Sequence, residues 1–292
     1  MARNVVLSLL VIGAVSLTST ACAQTVQKDI EYARVVDRVL ALDFYPPKEV
    51  DGRAPVVVWV HGGAWRSGSK NDVNVKRWTE QGFAIASVDY RLSPEAQFPA
   101  QIHDIKAAIR FLQVNADKYG IDANKIIVAG SSAGGHLAAL VGVSNGVKQL
   151  EGEVGISSAK PARVSATVSF FGASNLESIL GQSTEHGLSV RVPALKLLLG
   201  DTPDKKPDLA RLASPVAHVD ATDPPLWLIH GDADPQMPIE QSKELVAKYE
   251  QLKLPVKFET IAGGKHGGKE FFEGERLDRL AGELKRSLAS RW

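Results

Sequence analysis

The sequence holds one cysteine, Cys22, among 292 residues. A lone thiol makes neither a disulfide framework nor a cysteine-rich zinc site. Charge of one sign is not in excess either, with 34 Lys and Arg against 33 Asp and Glu. A nucleic-acid-binding surface is expected to carry a basic surplus, so no nucleic-acid partner is expected. No HExxH, Walker loop or CxxC occurs, and nothing calls for a metal or another cofactor. After residue 24 there is no internal repeat and no low-complexity stretch. Hydrophobic residues at 44% and charged residues at 23% are average for a globular protein. That excludes a disordered chain, a coiled coil and a multi-span membrane protein.

The first residues depart from this average. Arg3 precedes an uncharged apolar run from Val5 to Leu17, and small residues follow in Ala21-Cys22-Ala23. This is the layout of a secretory signal peptide, too short for a membrane span. Cleavage before Gln24 would remove residues 1–23 and leave 24–292 as one exported domain, periplasmic or secreted. The rival reading keeps Cys22 as the lipidated first residue of a lipoprotein. Ser19-Thr20-Ala21-Cys22 resembles a lipobox, without the usual Leu three residues before the cysteine. Only the lipoprotein reading makes a membrane a partner.

Downstream, apolar and β-branched runs alternate with helical patterns. Val56–Val60, Phe83–Val88, Ile126–Ala129, Val164–Phe170, Leu226–Ile229 and Val256–Ile261 read as strands. Continuous apolar runs fit strands covered on both faces, as in a parallel sheet. Ile102, Ile105, Ile109 and Leu112 recur at helical spacing after Pro99, and Leu277, Leu280, Leu284 and Leu288 stripe a C-terminal helix. The alternation predicts a single α/β domain with a mainly parallel central sheet flanked by helices. Residues 30–45 are expected to add antiparallel edge strands. Residues 172–222, with Gly181, Pro193, Gly200, Pro203 and Pro207, break the rhythm and read as an insertion over one end of the sheet.

Gly130-Ser131-Ser132-Ala133-Gly134 follows the strand at 126–129 and opens the helical run 135–143. A GxSxG match alone is weak, because small residues crowd many turns. Between a strand and a helix it has the context of a nucleophile elbow, which would hold Ser132 above the sheet edge. A serine hydroxyl needs a base and an orienting carboxylate. Gly263-Gly264-Lys265-His266-Gly267-Gly268 follows the last strand, and Gly231-Asp232-Ala233-Asp234 follows the strand before it. His266 is therefore the expected base and Asp234 its orienting acid, with Asp232 as the alternative acid or a loop brace. Of the other histidines, His136 would point along the helix that follows Ser132. His230 reads as a packed strand end, His61 as a loop brace and His186 as a solvated surface residue. His103 and His218 carry no turn signature.

Strand 56–60 runs into His61-Gly62-Gly63-Ala64-Trp65. Glycines there allow backbone N–H groups to face an open pocket, so Gly62 or Gly63, with Ala133, is the expected oxyanion hole. Trp65 is expected to line the acyl pocket or simply to pack.

These motifs in this order, with Asp89-Tyr90-Arg91-Leu92-Ser93-Pro94 between them, resemble the serine esterases of the α/β-hydrolase fold over roughly residues 30–290. The chain is similar to small feruloyl and acetyl-xylan esterases near the hormone-sensitive-lipase-like group. Where that group carries HGGG and GDSAG, Ala64 and Ser131 stand here. The resemblance implies a carboxylic-ester hydrolase working through an acyl-enzyme, without cofactor or metal. Its substrate would be a small-molecule or polysaccharide-linked ester, short-chain or small aryl, including acetyl or feruloyl esters, with no obligate partner. The alternatives on the same fold are an arylformamidase resembling kynurenine formamidase and a serine peptidase, whose relatives usually add a large second domain. A non-catalytic binding module would be expected to lack Ser132 or His266.

Overall fold

A computed structural model describes residue 1 and residues 25–156 and 161–290. The signal-peptide and lipidation readings, with Cys22 and Gln24, lie outside the described residues. Eight strands form one sheet: β1 (Gln27–Val35), β2 (Arg38–Tyr45), β3 (Ala54–Val60), β4 (Ala84–Val88), β5 (Ile121–Ser131), β6 (Ala166–Phe170), β7 (Leu226–Gly231) and β8 (Val256–Ile261). Their spatial order is β1-β2-β4-β3-β5-β6-β7-β8. β2 pairs antiparallel with β1 and β4, and β3 through β8 all run parallel to one another. The mainly parallel sheet and its antiparallel edge at 30–45 are both as the sequence implies.

Alternation along β3 shows why its run of valines is continuous. Val56, Val58 and Val60 enter one core, whereas Val57 and Trp59 enter the other. Successive side chains of a strand point to opposite faces, so burial on both sides demands apolar residues at every position. The first core takes Ile102, Ile105, Ile109 and Leu112 of the helix Ala100–Val114. The second takes Leu277, Leu280, Leu284 and Leu288 of the helix Glu275–Ala289. The helix Ala133–Val143 is buried on every side, which its sequence permits, small or apolar throughout except for His136. β8 differs from the other parallel strands because it is an edge. Only Ile261 among its residues is buried.

The segment between β6 and β7 folds into helices, the longest being Glu185–Leu199. Leu195, Leu198 and Leu199 of that helix face inward and Leu197 is exposed, so its leucines serve packing. Among the described residues no helix is long and apolar enough to cross a membrane.

Candidate active site

The C-terminal ends of β3, β5, β7 and β8 converge on one cavity of about 690 Å³. At the end of β5 the chain must turn sharply into the next helix. Ser132 takes φ 54° and ψ −118° there, a left-handed conformation that costs an L-residue ~1–3 kcal/mol and that the surroundings must impose. They do so through close packing against β3. A Cβ on Gly134 would lie 2.0 Å from the Val60 carbonyl oxygen, and one on Gly130 would lie 2.4 Å from that of Gly134. Ser132 donates its own N–H to Phe170 O at 2.9 Å, leaving its hydroxyl to face the cavity.

His266 Nδ1 lies 2.7 Å from Asp234 Oδ2, and His266 Nε2 lies 2.8 Å from Ser132 Oγ. A carboxylate only accepts, so Nδ1 carries the proton and Nε2 is left to accept from the serine hydroxyl. Asp234 Oδ1 in turn accepts from the N–H groups of Gln236 (2.8 Å) and Met237 (2.9 Å). Burial opposes ionisation of Asp234, but hydrogen bonds from His230 and His266 outweigh it and hold the carboxyl well below the usual carboxylate range. Asp234 is therefore a fixed anion behind the imidazole. Asp232 braces the neighbouring loop instead, its Oδ1 accepting from Gly263 N–H at 2.7 Å.

The loop after β3 lies against this line. A Cβ on Gly62 would sit 3.0 Å from Ser131 O and 3.5 Å from Ser132 Cβ, so the glycine backbone lies against the elbow. The N–H groups of Gly62, Gly63 and Ala133 meet no protein acceptor among the described residues. Asp-Tyr-Arg-Leu-Ser-Pro at 89–94 holds the loop in place. Asp89 accepts from Lys70 N–H at 2.7 Å, Tyr90 stacks on His61 with ring centres 4.4 Å apart, and Ser93 N–H donates to Trp65 O at 2.8 Å. His61 donates from Nδ1 to Gly62 O at 2.8 Å, the bracing role expected of it.

Trp65 does not line the pocket. Ala64 and Trp65 both adopt positive φ (52° and 59°), which turns the indole into the core, where it is fully buried. Its N–H donates to His136 Nδ1 at 3.0 Å, and His136 Nε2 lies 2.7 Å from Ala213 O. His136 is thereby a neutral core residue. His230 is likewise packed, between Ser242 Oγ (2.8 Å) and Met237 O (3.0 Å).

Two lining residues carry no sequence signal. Phe171 has φ 39°, and its ring stands edge-on to His266 with centroids 4.9 Å apart. Arg191, from the helix Glu185–Leu199, is 1% exposed and gives Nε and Nη2 to Gln236 O at 3.1 and 3.0 Å. Among the described residues no cluster of three or more His, Cys, Asp or Glu is arranged to hold a metal.

Residues 42–249 match the family model BD-FAE. Esterase LipC of Mycobacterium tuberculosis is 33% identical over 236 residues, 79% of this chain and 57% of LipC. The chain spans about half the length of the curated relatives it matches. A truncated carbohydrate esterase from gut microbiota superposes with a TM-score of 0.81 at 31% identity, over 91% of this chain and 97% of that one. An esterase from Thermogutta terrifontis with propionate bound gives a TM-score of 0.68 at 25% identity, over 92% of both chains. The eight-stranded, mostly parallel sheet is thus the α/β-hydrolase fold.

Proposed function

This chain belongs to the BD-FAE family, and we propose that it is a serine carboxylesterase acting on short-chain or small aryl esters through an acyl-enzyme. The observation that carries the reading is the line Asp234–His266–Ser132, hydrogen-bonded at 2.7 and 2.8 Å. Ser132 Oγ attacks the ester carbonyl carbon while His266 Nε2 takes its proton. Asp234 stabilises the imidazolium so formed. The carbonyl oxygen becomes an oxyanion that accepts from Ala133 N–H and from Gly62 or Gly63 N–H. Collapse breaks the ester C–O bond, and His266 returns the proton to the leaving alcohol. Water, activated by the same histidine, then hydrolyses the acyl-enzyme. Relatives described as esterases and as a carbohydrate esterase support ester hydrolysis as the reaction class. Segment 172–222 acts as a cap, contributing Val190 and Arg191 to the cavity wall.

Export fits esters met outside the cytoplasm. Intact mass of the mature protein tests it: a first residue of Gln24 supports a secreted or periplasmic product, and a diacylglyceryl group on Cys22 establishes a lipoprotein instead. The reaction itself is tested with 4-nitrophenyl esters, N-formylkynurenine and a dipeptide anilide. Ester turnover that Ser132→Ala lowers by ~10⁴- to 10⁶-fold, with an unchanged circular dichroism spectrum, is expected. A variant that keeps more than about a tenth of the activity would remove Ser132 as the nucleophile.

A further inference from the structure

Arg191 is a buried cation with no carboxylate in contact with it. Among the described residues no carboxylate lies within 4.0 Å of it, and its two hydrogen bonds go to one backbone carbonyl, Gln236 O. Burial lowers its pKa to about 10, against the opposing field of Asp234, so it stays charged at neutral pH. Buried charges are normally paired, because desolvation costs several kcal/mol per ion. A neutral donor could tie the helix to Gln236 O equally well. Thr184 already does similar work nearby, its hydroxyl donating to Pro235 O at 2.8 Å. The guanidinium has five N–H donors in a fixed fork, and its Nη1 meets no partner among the described residues. Arg191 also lines the cavity that contains Ser132 and His266.

The rest of the cavity carries the same sign. Arg66 and Lys269 line it as well, neither within 4.0 Å of a carboxylate among the described residues, and Glu273 is the one carboxylate on its wall. The chain as a whole has a formal net charge of only +1. The cationic character is local to the cleft, where low-dielectric walls strengthen its field.

We propose that Arg191 is an anion subsite, which makes the preferred substrates esters bearing a carboxylate on the acyl or the alcohol side. This rests on the esterase reading above. The free edge of the guanidinium meets the carboxylate as a charge-assisted, bidentate pair while Ser132 attacks the ester carbonyl. The pair supplies the contacting carboxylate that no described residue of the protein provides.

Two matched ester pairs test the proposal and separate the two sides. Mono-4-nitrophenyl glutarate against 4-nitrophenyl pentanoate reads the acyl side. 4-Acetoxybenzoate against its methyl ester reads the alcohol side. The measured quantity is the kcat/KM ratio of anionic to neutral ester within each protein, so any general loss of activity cancels. The wild type should favour the anionic member of at least one pair. Arg191→Gln should lower that ratio roughly 10- to 100-fold, with Arg191→Lys intermediate. A ratio at or below one for both pairs in the wild type overturns the proposal. So does a ratio that Arg191→Gln leaves unchanged, because a brace for the Asp234 loop would lower both members alike. If Arg191→Gln does not fold, the wild-type ratio and Arg191→Lys still decide. Turnover of the neutral esters reports separately on the esterase reading.

Discussion

The indole N–H of Trp65 donates to Nδ1 of His136 across 3.0 Å in the core beneath the cavity. The bond needs an unprotonated Nδ1, and burial lowers the His136 pKa to about 4. It joins the loop after β3 to the helix that follows Ser132, so the titration of His136 bears on the two walls of the site.

Stability should therefore depend on pH through His136. In the unfolded chain its imidazole titrates near ~6.5, and in the native protein at about 4. Between these values the unfolded chain binds a proton that the native state refuses. The contribution is complete above pH ~6.5 and falls as pH drops towards 4, by at most about 3 kcal/mol. Urea unfolding at pH 7 and 4.5 measures it. His136→Gln should unfold with a smaller difference between the two pH values than the wild type. An equal difference would mean that the native imidazole protonates freely.

The two aspartates after β7 should separate cleanly. Asp234→Asn places an amide where His266 Nδ1–H needs an anion, and turnover should fall about 10⁴-fold. Asp232→Asn keeps an acceptor for Gly263 N–H, and turnover should stay within about threefold, since only one hydrogen bond of ~1 kcal/mol is altered. Rates for 4-nitrophenyl acetate on both variants decide it. Similar losses in two folded proteins would leave the acid unassigned.

Ser132, His266 and Asp234 were legible because each follows a strand in a turn whose glycines have few other uses. The sheet was legible for a related reason: burial on both faces leaves runs such as 56–60 no polar position. Of the two readings open for Trp65, pocket wall or packing, the structure takes packing, and the sequence does not decide because a neighbour in the chain need not be a neighbour in the pocket. Two successive left-handed residues, at 64 and 65, reverse its direction, and nothing in their side chains signals it. Phe171 and Arg191 were illegible because their partners, His266 and the Gln236 carbonyl, lie 95 and 45 residues away in the chain. A phenylalanine at the end of an apolar strand and an arginine on a helix look ordinary until the fold brings those partners to them.

Phe171 should act on turnover through His266. Its ring contact at 4.9 Å limits how the imidazole can tilt, and its positive φ is a strain of ~1–3 kcal/mol kept beside the site. An edge-to-face pair contributes ~0.5–1.5 kcal/mol. Phe171→Leu should lower kcat roughly 2- to 10-fold with KM little changed. A rise in KM with kcat intact would instead make Phe171 a substrate-binding wall.

Acyl-chain preference follows from what the cavity is lined with. Arg66, Asn74, Gln236, Lys269 and Glu273 give it polar walls, and Phe171, Phe272 and Val190 supply limited apolar surface beside Ser132. The leucines of the helix Glu185–Leu199 are no help to a long chain. Leu195, Leu198 and Leu199 are buried against the fold, so they cannot also form an acyl tunnel. A methylene that finds an apolar wall gains ~1–3 kcal/mol, and one that meets these polar groups or water gains nothing. Among uncharged 4-nitrophenyl esters, kcat/KM should be highest at acetyl to butyryl and fall in graded steps through octanoyl to dodecanoyl. A gradual fall distinguishes lost contacts from a blocked tunnel, which would cut activity off at one length. Rates that rise through dodecanoyl, with activation at a lipid interface, would overturn the short-chain reading and require the segment at 172–222 to open an apolar surface.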